Sequence, residues 1–132
     1  MTRDPITLGP EESLMRGLEE MRRHGIRRIP IVLGEALVGL LAEGDLKRAQ
    51  PSALSATEEE FHRVMEGTTV SRIMIEKPIT VDAGALLLEA ARTLHTTKFG
   101  ALPVVSSAGQ LVGILTDSDL HRCLVELLEE GG

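Results

Sequence analysis

The sequence predicts an α/β (α+β) fold built twice in tandem, and three observations carry that prediction. Leu37–Leu46 reads Leu-Val-Gly-Leu-Leu-Ala-Glu-Gly-Asp-Leu and Leu111–Leu120 reads Leu-Val-Gly-Ile-Leu-Thr-Asp-Ser-Asp-Leu, each an apolar strand running into a helix start. Pro5-Ile6-Thr7-Leu8 returns as Pro78-Ile79-Thr80-Val81. Apolar residues at i, i+4, i+7 mark one helical stripe per copy, Leu14, Leu18 and Met21 in the first and Leu87, Ala91 and Leu94 in the second. Further identical pairs, among them Pro30/Pro103, Val32/Val105, Gly39/Gly113, Asp45/Asp119 and Arg48/Arg122, extend the likeness through the whole of residues 5–48.

Within each copy the elements follow from local signals. Pro5–Leu8 and Pro78–Val81 read as short β runs, the first ended by Gly9-Pro10. A helix is expected over 12–24, with Gly25 as its left-handed cap. Ile26–Leu33 and Phe99–Val105 read as second strands, and Gly34-Glu35 and Ser106-Ser107-Ala108-Gly109 as the turns that make hairpins with the third strands, 37–41 and 111–115. Gly39 and Gly113 at the centres of the third strands mark a close approach by another backbone or a ligand. Helices then start near Glu43 and Asp117. The domain reading is a first repeat over 1–50, a connector over 51–69 and a second repeat over 70–132. The connector holds a helix over 57–65, where Thr57 and Glu60 have capping-box spacing. Val70–Met74 leads into the second copy, whereas the first begins at Met1, which aligns with Met74. The first copy therefore lacks that lead-in, either by truncation or because it was never part of it.

Composition narrows the function. A net charge of -6 argues against nucleic acid as the partner, since phosphate contacts need clustered Lys and Arg. The local exception is Arg22, Arg23, His24, Arg27 and Arg28. The chain has no Trp or Tyr and only two Phe, so its core is aliphatic and base-stacking platforms are lacking. A single cysteine, Cys123, excludes an internal disulfide framework and fits a reducing compartment. No signal peptide and no long apolar run is present, so the expected setting is soluble and cytoplasmic, without membrane contact.

Few residues read as chemistry. Thr116 and Asp119 have the spacing of a capping box at a helix start, where an acid also meets the positive end of the dipole. The first copy has Ala42 in place of the threonine. Thr7 and Thr80 are ordinary β residues. Arg27 and Arg28 are adjacent on a strand, so one is expected to face solvent and the other the sheet face or a cleft. His24, His62, His95 and His121 show no ligand-pair spacing and read as surface residues, so no metal is expected. Cys123 reads as a small core residue. Asp117 and Asp119 diverge on a helix rather than forming an acid–base pair. There is no Walker loop, and catalysis is not expected.

A repeated strand, helix, hairpin and helix with Pro78-Ile79-Thr80, Leu102-Pro103-Val104-Val105 and Gly113-Ile114-Leu115-Thr116-Asp117-Ser118-Asp119 in order resembles the CBS (cystathionine β-synthase) domain, over nearly the whole chain. The length and the helical connector also resemble the small stand-alone CBS-pair proteins of the acetoin-utilisation type. What the resemblance implies is a Bateman module: two repeats packed about a pseudo-twofold axis, commonly dimerising, regulating another protein, and binding an adenosine compound such as AMP, ADP, ATP or S-adenosylmethionine. It further implies that Asp119 takes the ribose hydroxyls, that Thr116 and the helix amides meet phosphate, that Thr80, Val81, Ala101 and Leu102 wall the adenine, and that Arg27 or Arg28 reaches phosphate from the first copy. Asp45 and Thr7 are the first-copy counterparts, and Ala42 leads to the expectation of one competent site. The alternative is a ligand-free dimerisation or interaction scaffold.

Overall fold

The computed structural model describes residues 2–52, 56–85, 87–97 and 100–131. In chain order its elements are β1 (Thr2–Arg3), α1 (Leu14–His24), β2 (Arg28–Leu33), β3 (Ala36–Ala42), α2 (Glu43–Ala49), α3 (Glu58–Gly67), β4 (Ile75–Glu76), β5 (Val81–Asp82), α4 (Leu87–Thr97), β6 (Ala101–Val105), β7 (Leu111–Thr116) and α5 (Asp117–Gly131), with a 3-10 turn at Val70–Arg72. They form two compact units, Ile6–Pro78 and Met1–Pro5 with Ile79–Gly132. This is the mixed α/β arrangement the repeats predict.

In the unit Ile6–Pro78, the Ser13 hydroxyl accepts from the Arg16 amide at 3.1 Å and so caps α1. Gly25 closes the helix at φ 63° and ψ 35°, with the amides of Gly25 and Ile26 returning to the Met21 carbonyl. The stripe Leu14, Leu18 and Met21 is buried as its spacing requires, against Ile29 and Ile31 of β2, Leu41 of β3 and Leu46 of α2. Each such side chain contributes roughly 1.5–3 kcal/mol of burial. The connector belongs to this core: α3 is capped by Thr57, whose hydroxyl accepts from the Glu60 amide, and it delivers Met65, which is fully buried. β2 and β3 form the expected antiparallel hairpin, with an irregularity between Ile31 and Val32.

Two differences from the sequence reading concern the lead segments. Pro5–Leu8 does not form a strand; it makes one parallel bridge, Leu8 to Ile31, through Leu8 N–H to the Pro30 carbonyl and Val32 N–H to the Leu8 carbonyl. Pro5 and Pro10 have no amide to extend such a ladder. In the second copy the strand falls later, at Val81–Asp82, parallel to β6. The other difference is that β4 pairs with β3, giving the sheet order β2-β3-β4, while β1 pairs with β7, giving β1-β7-β6-β5. Leu40 faces Ile75 and Gly39 faces Glu76; in parallel fashion Ile114 faces Thr2 and Gly113 faces Arg3. Each lead strand thus completes the sheet of the other repeat's hairpin.

The second unit has its own core of Val81, Ala90, Leu94, Leu102, Val104 and Leu115. On α4 Leu94 is buried as expected, and Ala90 is buried while Ala91 is half-buried. The side chains of Leu87 and Phe99 lie outside the described residues.

Gly39 is a close-approach site, as its position predicts. A Cβ there would stand 2.4 Å from the Met74 sulfur and 3.1 Å from the Ile75 carbonyl oxygen of β4. Gly39→Ala is expected to destabilise the protein by about 1–3 kcal/mol through overpacking. In chemical denaturation, Met74→Ala added to Gly39→Ala should recover part of that loss, because the Met74 side chain makes the tightest of these contacts. Full additivity of the two losses would show that the contact does not exist.

Candidate functional site

The best-formed polar constellation in the second unit lies where β7 meets α5. Thr116 ends the strand and Asp117 begins the helix. The Asp119 carboxylate, buried to 8% exposure, accepts at Oδ2 from the Thr116 amide at 2.9 Å and from the Thr116 hydroxyl at 3.0 Å. The Asp119 amide in turn donates to the Thr116 hydroxyl at 3.2 Å. This is the reciprocal capping box expected from the spacing. Charge burial is tolerated here because the carboxylate sits in the first turn of a helix, facing the positive end of the dipole. Arg122 Nη1 lies 4.0 Å from Oδ1 and is largely exposed, so it adds little.

The hydroxyl of Thr116 has one proton, and Asp119 holds it. In this arrangement Thr116 orients the carboxylate and has no donor left for a phosphate. Oδ1 of Asp119 is the oxygen outside the box, with two lone-pair directions available to donors. Around it the register sets neighbours in place: Ala101 of β6 stands opposite Thr116, Leu102 opposite Leu115, and the Asp117 amide donates to the Gly100 carbonyl. Ala101 and Leu102 are buried, so they offer backbone and shape rather than polar side chains. Val81 is buried on β5 beside β6, and Thr80, just before it, is exposed. The unit therefore brings Thr116, Asp119, Ala101 and Leu102 into one β-sheet and helix junction, while Val81 lies further along β6, opposite Val104.

The first unit repeats the frame without the cap. The Glu43 amide donates to the Arg27 carbonyl at 2.8 Å, as Asp117 does to Gly100, but Ala42 supplies no side-chain hydrogen bond to α2. Asp45 pairs through Oδ1 with Arg48, and its buried Oδ2 has no hydrogen-bond partner among the described residues. Arg28 lies on β2 opposite Ala42 and is half-buried, while Arg27 precedes the strand and is exposed, in a groove with residues of α1 and α2. Arg27 thus lies outside the strand on which the two arginines were expected to diverge. Thr7 is half-buried beside the Leu8 bridge.

The four histidines are exposed, as read from their spacing. Cys123 is half-buried in α5 rather than a core residue, because that helix leaves its second half uncovered. Sequence reasoning missed Glu20, a carboxylate 6% exposed on α1 and ringed by Arg16 at 3.4 Å, Arg23 at 3.8 Å and His24 at 3.2 Å. Its basic neighbours at i-4, i+3 and i+4 were the available signal.

The cap asymmetry is testable by exchange. Thr116→Ala should cost about 1–2 kcal/mol, from the lost cap and the donor removed from a buried carboxylate. Ala42→Thr should add about 1 kcal/mol by capping α2 and supplying a donor for Asp45. Denaturation midpoints of the two variants moving in the same direction would contradict this account.

Comparison with known proteins agrees with the fold. The family model described as the CBS domain matches residues 1–52 and 70–126. A CBS domain-containing protein of Dictyostelium discoideum is 30% identical over 131 residues, covering 98% of this chain and 90% of that protein. Several other curated relatives are much longer, and the chain spans between 21% and 44% of them. Among solved structures, CBSX2 in complex with AMP has a TM-score of 0.81 at 28% identity, over 96% of this chain and 93% of that one. A Vibrio cholerae protein assigned to acetoin utilization (AcuB) has a TM-score of 0.80 at 33% identity, over 98% of this chain and 89% of that one. With both repeats matched in order, and with similar small proteins that share nearly their full length with it, the chain belongs to the CBS domain family as a tandem pair.

Proposed function

We propose that the protein is a non-enzymatic regulatory module that senses an adenosine-containing ligand at the start of α5. The observation that carries this reading is the Asp119 carboxylate, held rigid by two donors at Oδ2 while Oδ1 is left for a ligand. One carboxylate oxygen with two lone pairs suits the vicinal hydroxyls of a ribose, and the backbone at Ala101 and Leu102, with the apolar Val81, suits the edge and face of an adenine. Thr80 is a further polar group at the rim. The presence of AMP in the structure of CBSX2 supports the ligand class. AMP, ADP, ATP and S-adenosylmethionine are the candidates. Phosphate recognition would fall to groups other than Thr116, which is engaged in its box. Asp45, without a capping threonine before it, is the weaker site.

The setting proposed is the cytoplasm, which a single cysteine suits, and the assembly proposed is a homodimer through α5. Leu124, Val125, Leu127 and Leu128 of this helix are between 53% and 66% exposed, a contiguous apolar stripe of the kind that marks an interaction surface. Its charges suit a second copy: His121 and Arg122 lie before the stripe and Glu126, Glu129 and Glu130 lie within and after it. Antiparallel pairing about a twofold axis would set Arg122 of one helix toward the terminal glutamates of its twin.

Both readings make predictions. In a thermal-shift series, a ligand at a hundredfold excess over its Kd stabilises by about 2.7 kcal/mol, several degrees for a chain of this size. One of the four adenosine compounds should produce that shift. Asp119→Ala should abolish it and Asp45→Ala should largely spare it. No shift with any of them at millimolar concentration refutes ligand sensing and leaves the scaffold. For the dimer, Leu124→Glu with Leu128→Glu should convert a dimer into a monomer in light scattering, with helical content retained in circular dichroism. A monomeric wild type, or a double variant that stays dimeric, removes α5 as the interface.

A further inference from the structure

We propose a second, separate ligand site in the first repeat: a groove between the C-terminal end of α1 and α2 that binds a phosphate monoester dianion carrying a compact apolar body. The groove encloses about 340 Å³, the lower end of the range for small-molecule sites. Its floor is apolar, from Leu18, Met21, Ile26 and Leu46, and its rim carries Arg22, Arg27 and Lys47. Lys47 is neutralised by Glu43 at 3.2 Å. Arg22 and Arg27 have no carboxylate partner among the described residues, whereas the neighbouring Arg16, Arg23 and His24 all converge on Glu20 and Arg48 pairs with Asp45. The groove therefore holds an uncompensated charge of two in a chain whose net charge is -6, and a dianion balances it.

The helix end opposes this only in part. α1 points the negative end of its dipole toward the groove, but the Met21 carbonyl is already taken by the amides of Gly25 and Ile26. Arg22 and Arg27 stand on either side of that turn, and their planar donors match the oxygens of a phosphate in pairs. The Arg27 backbone is fixed by its carbonyl, which accepts from the Glu43 amide, so one wall of the groove is tied to the start of α2. Gln50 adds a side-chain amide at the far end, where it can meet a polar substituent. The apolar floor is what separates this from a general anion patch: it favours a ligand with a hydrocarbon or ring body over a bare anion.

This proposal is independent of nucleotide sensing at Asp119 and is tested with a different probe. Phenyl phosphate is titrated by isothermal titration calorimetry into the full chain, alongside inorganic phosphate and phenol. Expected is saturable, one-to-one binding of phenyl phosphate at least tenfold tighter than that of either fragment. Arg22→Ala and Arg22→Glu should weaken it by tenfold or more, the second more than the first. Both lie at an exposed helix position, and an unchanged melting temperature shows that they fold. Asp119→Ala should leave phenyl phosphate binding unchanged. Absence of binding at 10 mM, equal affinity in the Arg22 variants, or loss of binding in Asp119→Ala would each overturn the proposal, the last by moving the ligand to the α5 site. Failure of Asp119→Ala to affect adenosine ligands would count against the function proposed above and not against this groove.

Discussion

The backbone ladder along the third strand of each repeat governs the rest of the molecule. β3 is paired on one side by β2 and on the other by β4, and β7 by β6 and β1, so neither third strand presents a free edge. An open edge of that kind would be a template for association with another chain. The ladder also sets the polar sites. Because each third strand runs directly into a helix, and because the first helix amide is tied to the residue just before or at the start of the second strand, Arg27 or Gly100, the hairpin register decides where Asp45 and Asp119 stand. Gly39 is the point at which this arrangement depends on the absence of a side chain.

On that common frame the two repeats diverge by single residues. Thr116 turns Asp119 into a fixed, doubly bonded carboxylate, whereas Ala42 leaves Asp45 to a surface arginine and one idle oxygen. The cost of burying a carboxylate is met in one copy by donors in the helix start, whereas in the other Oδ1 pairs with Arg48 and Oδ2 stays buried without a partner among the described residues. Such divergence lets one repeat keep a site while the other changes its chemistry. The groove beside Arg22 and Arg27 lies in the first copy, whose Asp45 has no capping threonine before it.

Much of this was legible before any coordinates. Leu14, Leu18 and Met21 announced the buried face of α1, the glycine-bearing turns announced both hairpins, and the spacings Ser13 to Arg16, Thr57 to Glu60 and Thr116 to Asp119 correspond to capping bonds that are present, the last two of them read in advance. What escaped notice has physical reasons. Two-residue strands such as β1 and β4 have no periodicity, and their existence depends on a distant edge needing a partner. On α4 Ala90 is more deeply buried than Ala91, a choice that an alanine pair, carrying almost no pattern, does not announce. Glu20 was passed over because a glutamate on a helix normally faces water, and only its three basic neighbours make burial affordable. At the site, the residues were legible while the partner of the hydroxyl was not: threonine and aspartate at that spacing serve as a cap or as ligands, and here the Thr116 hydroxyl lies within donating distance of the Asp119 carboxylate.

The crossed lead strands carry a consequence for how such a protein could have arisen. The copied segment in the sequence and the folded body in space have different boundaries, since residues at the front of each repeat close the sheet of the other. An ancestor with one repeat would have had a hairpin in want of an edge and an edge strand in want of a hairpin. Two such chains could satisfy each other only by exchange. With both repeats in one polypeptide that exchange is a property of a single chain, and the two halves differ in their polar residues while each keeps the same strand pairing.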